Sequence, residues 1–165
     1  MEKSINQLVI LGLGSNLGNS PKIIHEAFEA LEAVLTEVRT ASLYVTEPMY
    51  VIDQGRFINT AVAGFYEDSP GALLSAIKDI EIQFGRNRIW EKRWGERFLD
   101  IDILLFGDLV VNEARLQIPH SLLKERRFAL EPLLELLPDA REPGTGLSYR
   151  EICDSLPEQG VKKLE

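Results

Sequence analysis

Two aspartates separated by one residue interrupt an otherwise apolar run, FLDIDILLF, at residues 98–106. If the run is a strand, side chains two apart share a face. Asp100 and Asp102 then point the same way while Leu99, Ile101 and Ile103 pack on the other side. Adjacent carboxylates repel, and burying one without a partner costs roughly several kcal/mol. A hard divalent cation such as Mg2+ relieves both problems, completing its octahedron with water and phosphate oxygens. Solvation on an exposed sheet face, or pairing with nearby arginines, would also relieve them.

The preceding segment, GRNRIWEKRWGER, places Arg86, Arg88, Lys92, Arg93 and Arg97 within twelve residues, together with Gly95, Trp90 and Trp94. Guanidinium groups bind phosphate oxygens in bidentate fashion, although a charged loop is more often simply solvated. Its position next to the paired carboxylates favours phosphate. Cations and arginines converging on phosphates are the working parts of phosphoryl transfer, where catalysis is mostly positioning and charge neutralisation. A third cluster, QIPHSLLKERRFALEPL, carries His120 directly after Pro119, then Lys124, Arg126 and Arg127. The glycines of GLGSNLGNS are spaced G-x-G-x-x-x-G, one residue off the dinucleotide fingerprint, and no P-loop string occurs. An enzyme using ATP here is neither Rossmann nor P-loop.

These residues need a scaffold, and hydrophobic periodicity supplies one. QLVILGLG reads as a first strand. SPKIIHEAFEALEAVL reads as a helix capped by Ser20, with Pro21 at its first turn and a stripe of Ile24, Phe28, Leu31 and Leu35. EVRTASLYVT alternates as a second strand, and FINTAVAGFY is a third, rich in β-formers. SPGALLSAIKDIEIQFG repeats the Ser-Pro start, with Leu73, Leu74, Ile77, Ile80 and Phe84 inward and Gly85 closing the helix. FLDIDILLF is the fourth strand, GDLVVN a turn into a short strand, and RFALEPLLELLPD and SYREICDSL short closing helices. The order β-α-β-β-α-β predicts an α+β fold with a ferredoxin-like core and extra C-terminal elements.

Composition sets the outer limits. The chain has 165 residues and a net charge of −8, which argues against broad nucleic-acid binding. The segment from Arg86 to Arg127 is nonetheless net basic, with nine Lys/Arg against seven Asp/Glu. A local basic cluster on an acidic protein suits a small anionic ligand. No apolar run approaches the roughly 18 residues a membrane helix needs, and the N-terminus reads as a strand, not a signal peptide. Cys153 has no partner for an intramolecular disulfide and reads as a buried structural thiol, so a cytoplasmic location is expected. One domain spanning residues 1–165 is expected from the length.

Several separated motifs, in order, resemble the 6-hydroxymethyl-7,8-dihydropterin pyrophosphokinase family of folate biosynthesis. They are GLGSNLG, YVTEP, DQGRFINTAV, E-x-x-x-GR-x-R with RWGERFLDIDILLFG, and IPHSLLKERRFALEPLLELLPD. The resemblance implies a three-layer α-β-α sandwich and transfer of pyrophosphate, as a unit, from ATP to the pterin hydroxymethyl group, leaving AMP. Asp100 and Asp102 match the ligands of two Mg2+ ions, and Asp102 is the candidate proton acceptor. Arg86, Arg88 and Arg97 match catalytic loop arginines, with Trp94 beside the substrates. Arg88, Arg115, His120 and Arg126 match residues on the ATP side. On the pterin side are Thr46, Pro48 and Met49 at the ring edge, Asn59 as a hydrogen-bonding group, and Phe57 and Phe128 stacking on the two faces. A monomer is expected, without nucleic-acid or membrane partners.

The sequence departs from the family pattern at Glu96, where Pro is usual, at Ser121, where Tyr is frequent, and at Phe57, where some members have Tyr. One extra residue also falls within Ile89–Lys92. Glu96 and Ser121 keep open a catalytically weak pterin- or nucleotide-binding module. A palm-like, metal-dependent nucleotidyltransferase is the other reading, because palm domains also carry paired aspartates on a ferredoxin-like sheet.

Overall fold

The computed structural model describes residues 5–16, 20–46, 57–85 and 99–164. Strand β1 (Gln7–Ser15) runs through the middle of the main sheet, antiparallel to β4 (Phe57–Tyr66) on one side and to β5 (Asp100–Phe106) on the other. Beyond β4 lie β3 (Tyr44–Thr46) and β8 (Lys162–Lys163), giving the order β5-β1-β4-β3-β8, while β2 (Thr36–Thr40) also pairs with β4. Every pairing in this sheet is antiparallel.

Helices cover both faces, and strand alternation separates the two cores. Val9, Leu11, Leu13, Ile58, Val62, Ile101 and Ile103 face helices α1 (Ser20–Glu32) and α2 (Pro70–Gln83). Ile10, Ala61, Ala63 and Leu104 face helices α3 (Arg127–Leu136) and α4 (Tyr149–Ser155). Between β5 and α3 come a hairpin, β6 (Val111–Glu113) with β7 (Leu116–Ile118), and a tight turn over Leu123–Glu125.

Local sequence accounts for most element boundaries. Ser69 caps α2 by accepting from the Ala72 N–H (3.1 Å), with Pro70 in the first turn. Gly85, just past the helix, takes φ 82°, a left-handed conformation that glycine adopts without strain. On α1 the deepest residues are Ile24, Ala27 and Leu31, with Phe28 only partly buried. The small Ala27 lets the helix approach the sheet, so the bulky neighbour is turned to its margin.

The expected second strand is two strands. Between β2 and β3 the chain gives up ladder pairing, and side chains hold it. The Thr60 hydroxyl contacts the carbonyls of Ala41 (3.1 Å) and Ser42 (2.9 Å), and Ala41 N–H donates to the Ala61 carbonyl (2.9 Å). From α3, Glu135 Oε1 accepts from the Ser42 N–H (2.9 Å) and hydroxyl (2.8 Å), while Oε2 accepts from the Tyr44 hydroxyl (2.6 Å). Partial burial alone would raise the Glu135 pKa. Hydrogen bonds from Tyr44 and Ser42 and the charge of Lys163 outweigh it and hold the carboxyl below its ordinary range. Burial and the Glu135 carboxylate together push the Tyr44 phenol far up.

Two stability predictions follow from these contacts. A carboxyl with a depressed folded-state pKa stabilises the fold above its unfolded value, near 4.3, and loses that contribution as pH falls through the folded value. Glu135→Gln should therefore cost about 1–2 kcal/mol at pH 7, with the gap to wild type closing as the pH drops below about 4 in urea melts. A gap that persists unchanged at pH 3 would overturn the account. Tyr149, wholly buried in the second core, has a hydroxyl with no hydrogen-bond partner among the described residues. Tyr149→Phe removes that desolvated hydroxyl, so urea melts should show stability unchanged or raised by up to about 1 kcal/mol. A loss of 2 kcal/mol or more, roughly the cost of a broken buried hydrogen bond, would count against it.

Candidate active site

The register of the central strands assembles the site. Asn59 on β4 stands opposite Gly14 on β1, which stands opposite Asp100 on β5; the next row is Ala61, Gly12 and Asp102. These positions share the face that carries α3 and α4 further along the sheet. Asp100 is half-buried and Asp102 exposed, although Leu99 and Ile101 beside them are buried on the opposite face. The two carboxylates thus begin β5, and neither suffers full desolvation.

The outer edge of β5 is tied down by residues far away in sequence. Glu81, near the end of α2 and 3% exposed, accepts the Ile101 N–H at 3.0 Å through Oε2. That peptide group lies between the two aspartates. Further along, the Leu104 carbonyl accepts the His120 N–H (3.1 Å). A register shift in the β1–β5 ladder pairs Ile10 with Leu105 but Leu11 with Ile103, so Leu104 is the extra residue. Leu104 lies over Gly12, where an added Cβ would come within 3.2 Å of Cδ1.

His120 is anchored through its backbone N–H and one ring nitrogen. Its Nδ1 accepts the Leu122 N–H (3.2 Å), which leaves the proton of the neutral ring on Nε2. Nε2 stands 3.9 Å from Asp102 Oδ1, a charge-pair distance too long for a hydrogen bond. The basic cluster after His120 divides by role. Arg127 donates to the carbonyls of Pro157 (2.9 Å) and Leu156 (2.7 Å) and to Glu131 (3.2 Å), locking α3 to the C-terminal segment. Lys124 pairs with Glu142 at 3.0 Å. Arg126, half-buried, lies 5.4 Å above the Phe128 ring centroid in a cation–π contact. Cys153, 4% exposed, has its thiol pKa raised by burial, in keeping with a structural role.

Of the pterin-side residues, Thr46 pairs with Phe57 across β3 and β4, and Asn59 Nδ2 donates to Thr46 Oγ1 at 3.1 Å. Phe57 and Asn59, two apart on β4, share the aspartate face, and Phe128 opens the helix that packs on that face. Arg115 is exposed in the β6–β7 turn. Pro48, Met49, Arg86, Arg88, Trp94 and Arg97 lie outside the described residues, as do Glu96 and Ile89–Lys92. Sequence reasoning gave no role to Glu81. Its signal was a carboxylate four residues after Ile77 on the buried stripe of α2.

Among the described residues no three His, Cys, Asp or Glu side chains cluster as a metal site. The pair Asp100 and Asp102 is the donor set that remains, and it suits Mg2+, which binds through one or two carboxylates and fills its other positions with water and phosphate. It does not suit a closed structural zinc site.

Comparison with known proteins gives the family. Residues 10–138 match the family described as 7,8-dihydro-6-hydroxymethylpterin-pyrophosphokinase (HPPK). The chain is 39% identical to the 2-amino-4-hydroxy-6-hydroxymethyldihydropteridine pyrophosphokinase of Pseudomonas aeruginosa, covering 96% of this chain and 97% of that one. It is 38% identical to the protein of that name from Methylorubrum extorquens, covering 94% and 97%. The folic acid synthesis protein fol1 of Schizosaccharomyces pombe is 38% identical over 98% of this chain, which spans only 22% of fol1. A crystal structure of Plasmodium falciparum HPPK-DHPS with pteroate superposes with a TM-score of 0.73 over 93% of this chain and 43% of that one, at 18% identity, a likeness of fold alone. With that fold, that site and these relatives, the chain belongs to the 7,8-dihydro-6-hydroxymethylpterin-pyrophosphokinase family.

Proposed function

We propose the following division of labour for the pyrophosphoryl transfer that the family carries out in folate biosynthesis. The reading rests above all on one row of the sheet, in which Asn59 and Asp100 flank Gly14. The pterin sits on the Asn59 side, its ring between Phe57 and Phe128, with Thr46, Pro48 and Met49 along its edge, reading it largely through backbone groups. ATP sits on the Asp100 side, its phosphates met by Arg88, Arg115, His120 and Arg126. Two Mg2+ ions held by Asp100 and Asp102 would neutralise phosphate charge there and lower the cost of bringing an alcohol to a polyanion.

The hydroxymethyl oxygen attacks the β-phosphorus of ATP. The bond from that phosphorus to the α–β bridging oxygen breaks, and the oxygen leaves with AMP. The alcohol proton passes to Asp102. Arg86, Arg88 and Arg97 stabilise the transferring group, with Trp94 beside the substrates. The HPPK match and the similarly named relatives disfavour both a palm-like nucleotidyltransferase and a catalytically weak binding module.

The strand order and the two helical layers support the finer reading of a ferredoxin-like core in a three-layer α-β-α sandwich. Residues 1–165 are read as one domain acting as a monomer. No helix among the described residues is long and apolar enough to cross a membrane. A cytoplasmic site of action without membrane or nucleic-acid partners belongs to the same reading.

Incubation with ATP, Mg2+ and 6-hydroxymethyl-7,8-dihydropterin should yield AMP only when the pterin is present. Asp100→Ala and Asp102→Ala should each abolish Mg2+-dependent AMP formation while circular dichroism stays that of the wild type; wild-type rates would end the proposed metal role. Glu81→Ala strips the Ile101 N–H of its acceptor and should raise the Mg2+ concentration for half-maximal rate about tenfold or more, with a stability loss of about 1–3 kcal/mol. Glu81→Gln keeps an acceptor oxygen and should recover most of that loss. Equal behaviour of the two variants would show that the hydrogen bond does not position the carboxylates.

A further inference from the structure

We propose that Gly14 and Thr46 are positioning residues for pterin recognition, acting through the side-chain amide of Asn59. The inference rests on the reading of Asn59 as a pterin-binding group. Asn59 is 7% exposed and Thr46 4%, so the orientation of the amide is set by protein neighbours more than by water. On one side Nδ2 donates to Thr46 Oγ1 at 3.1 Å. On the other, the amide oxygen lies over Gly14, where a Cβ would stand 2.8 Å from Oδ1, closer than real Cβ contacts allow. Gly14 does not have the positive φ seen at Gly85 or Gly107. The requirement for glycine here is therefore one of space above the strand, not of backbone conformation.

An amide carries a donor at one end and an acceptor at the other, and a flat heterocycle with alternating donors and acceptors tells the two apart. A freely turning Asn59 would present both to the ring edge. Thr46 and Gly14 remove that freedom by different means: the hydroxyl engages the NH2 group, and the bare Cα admits the oxygen. A site that has fixed its donor and acceptor in advance rejects a ring with the pattern reversed, because a buried polar group would go unpaired. Gly14 also lies in the same row as Asp100, so a side chain there would intrude between the two substrate sides.

The test is steady-state kinetics with ATP, Mg2+ and 6-hydroxymethyl-7,8-dihydropterin, comparing KM for the pterin with KM for ATP. Gly14→Ala should raise the pterin KM about tenfold or more and leave the ATP KM within about twofold. Thr46→Val, which keeps shape and loses the hydroxyl, should do the same, and Thr46→Ser should restore the wild-type value. In an Asn59→Ala background, which itself should raise the pterin KM, Thr46→Val should add nothing, since its effect passes through the amide. Unchanged pterin KM in Thr46→Val, or a penalty that survives without Asn59, would overturn the proposal even if Gly14→Ala failed to fold. If Asn59→Ala leaves the pterin KM unchanged, the placement of the pterin beside Asn59 falls, and the positioning role falls with it.

Discussion

The alignment of β1 between β4 and β5 determines which groups share a row at one end of the sheet. Side chains alternate strictly along a strand, so a slip of one residue would turn Asp100, Asp102 and Asn59 into the α1–α2 core and expose Leu11, Ile58 and Ile101. The apolar residues on the other face prevent it. Val9, Leu11, Leu13, Val62, Ile101 and Ile103 are all nearly or wholly buried, and each fully buried aliphatic side chain is worth about 1.5–3 kcal/mol. The polar face is thus held in place by the burial of the apolar one.

An edge strand bearing two carboxylates needs a second constraint, because its outer backbone groups are free to pair with another chain. Here the edge is occupied. Glu81 takes the Ile101 N–H, and His120 donates its N–H to the Leu104 carbonyl. The same contacts bring two further elements to the aspartates. One draws α2 against the peptide between the aspartates, and the other brings the His120 ring to within 3.9 Å of Asp102. The Leu104 bulge makes this possible by letting the chain past Gly12 keep its register with β1 while presenting an outward carbonyl.

Charge is divided between architecture and function. Arg127, Lys124 and Glu135 spend their hydrogen bonds on other parts of the chain and fasten α3 to the C-terminal segment, to Glu142 and to the β2–β3 connection. Arg126, one residue before Arg127, has its guanidinium over the Phe128 ring. Neighbours in sequence diverge because Arg126 has extended backbone (φ −122°, ψ 105°) while Arg127 is the first helical residue.

By itself the sequence determined most of the elements and the shared face of the two aspartates. The Ser-Pro start of α2 and the i, i+2 spacing of Asp100 and Asp102 are local patterns set by hydrogen bonding and sterics within a few residues. The run of recognisable motifs likewise placed the chain in its family. Tertiary structure alone decided that EVRTASLYVT is two strands, because the break is held by Thr60 and Glu135 from elsewhere in the chain. It also decided that Lys124 and Arg127 are structural, that Glu81 reaches the strand between the aspartates, and that Gly14 lies beneath Asn59. Each of those outcomes depends on a contact between residues many positions apart. Such contacts come from packing two helical layers on one sheet, and no periodicity within a single segment encodes them.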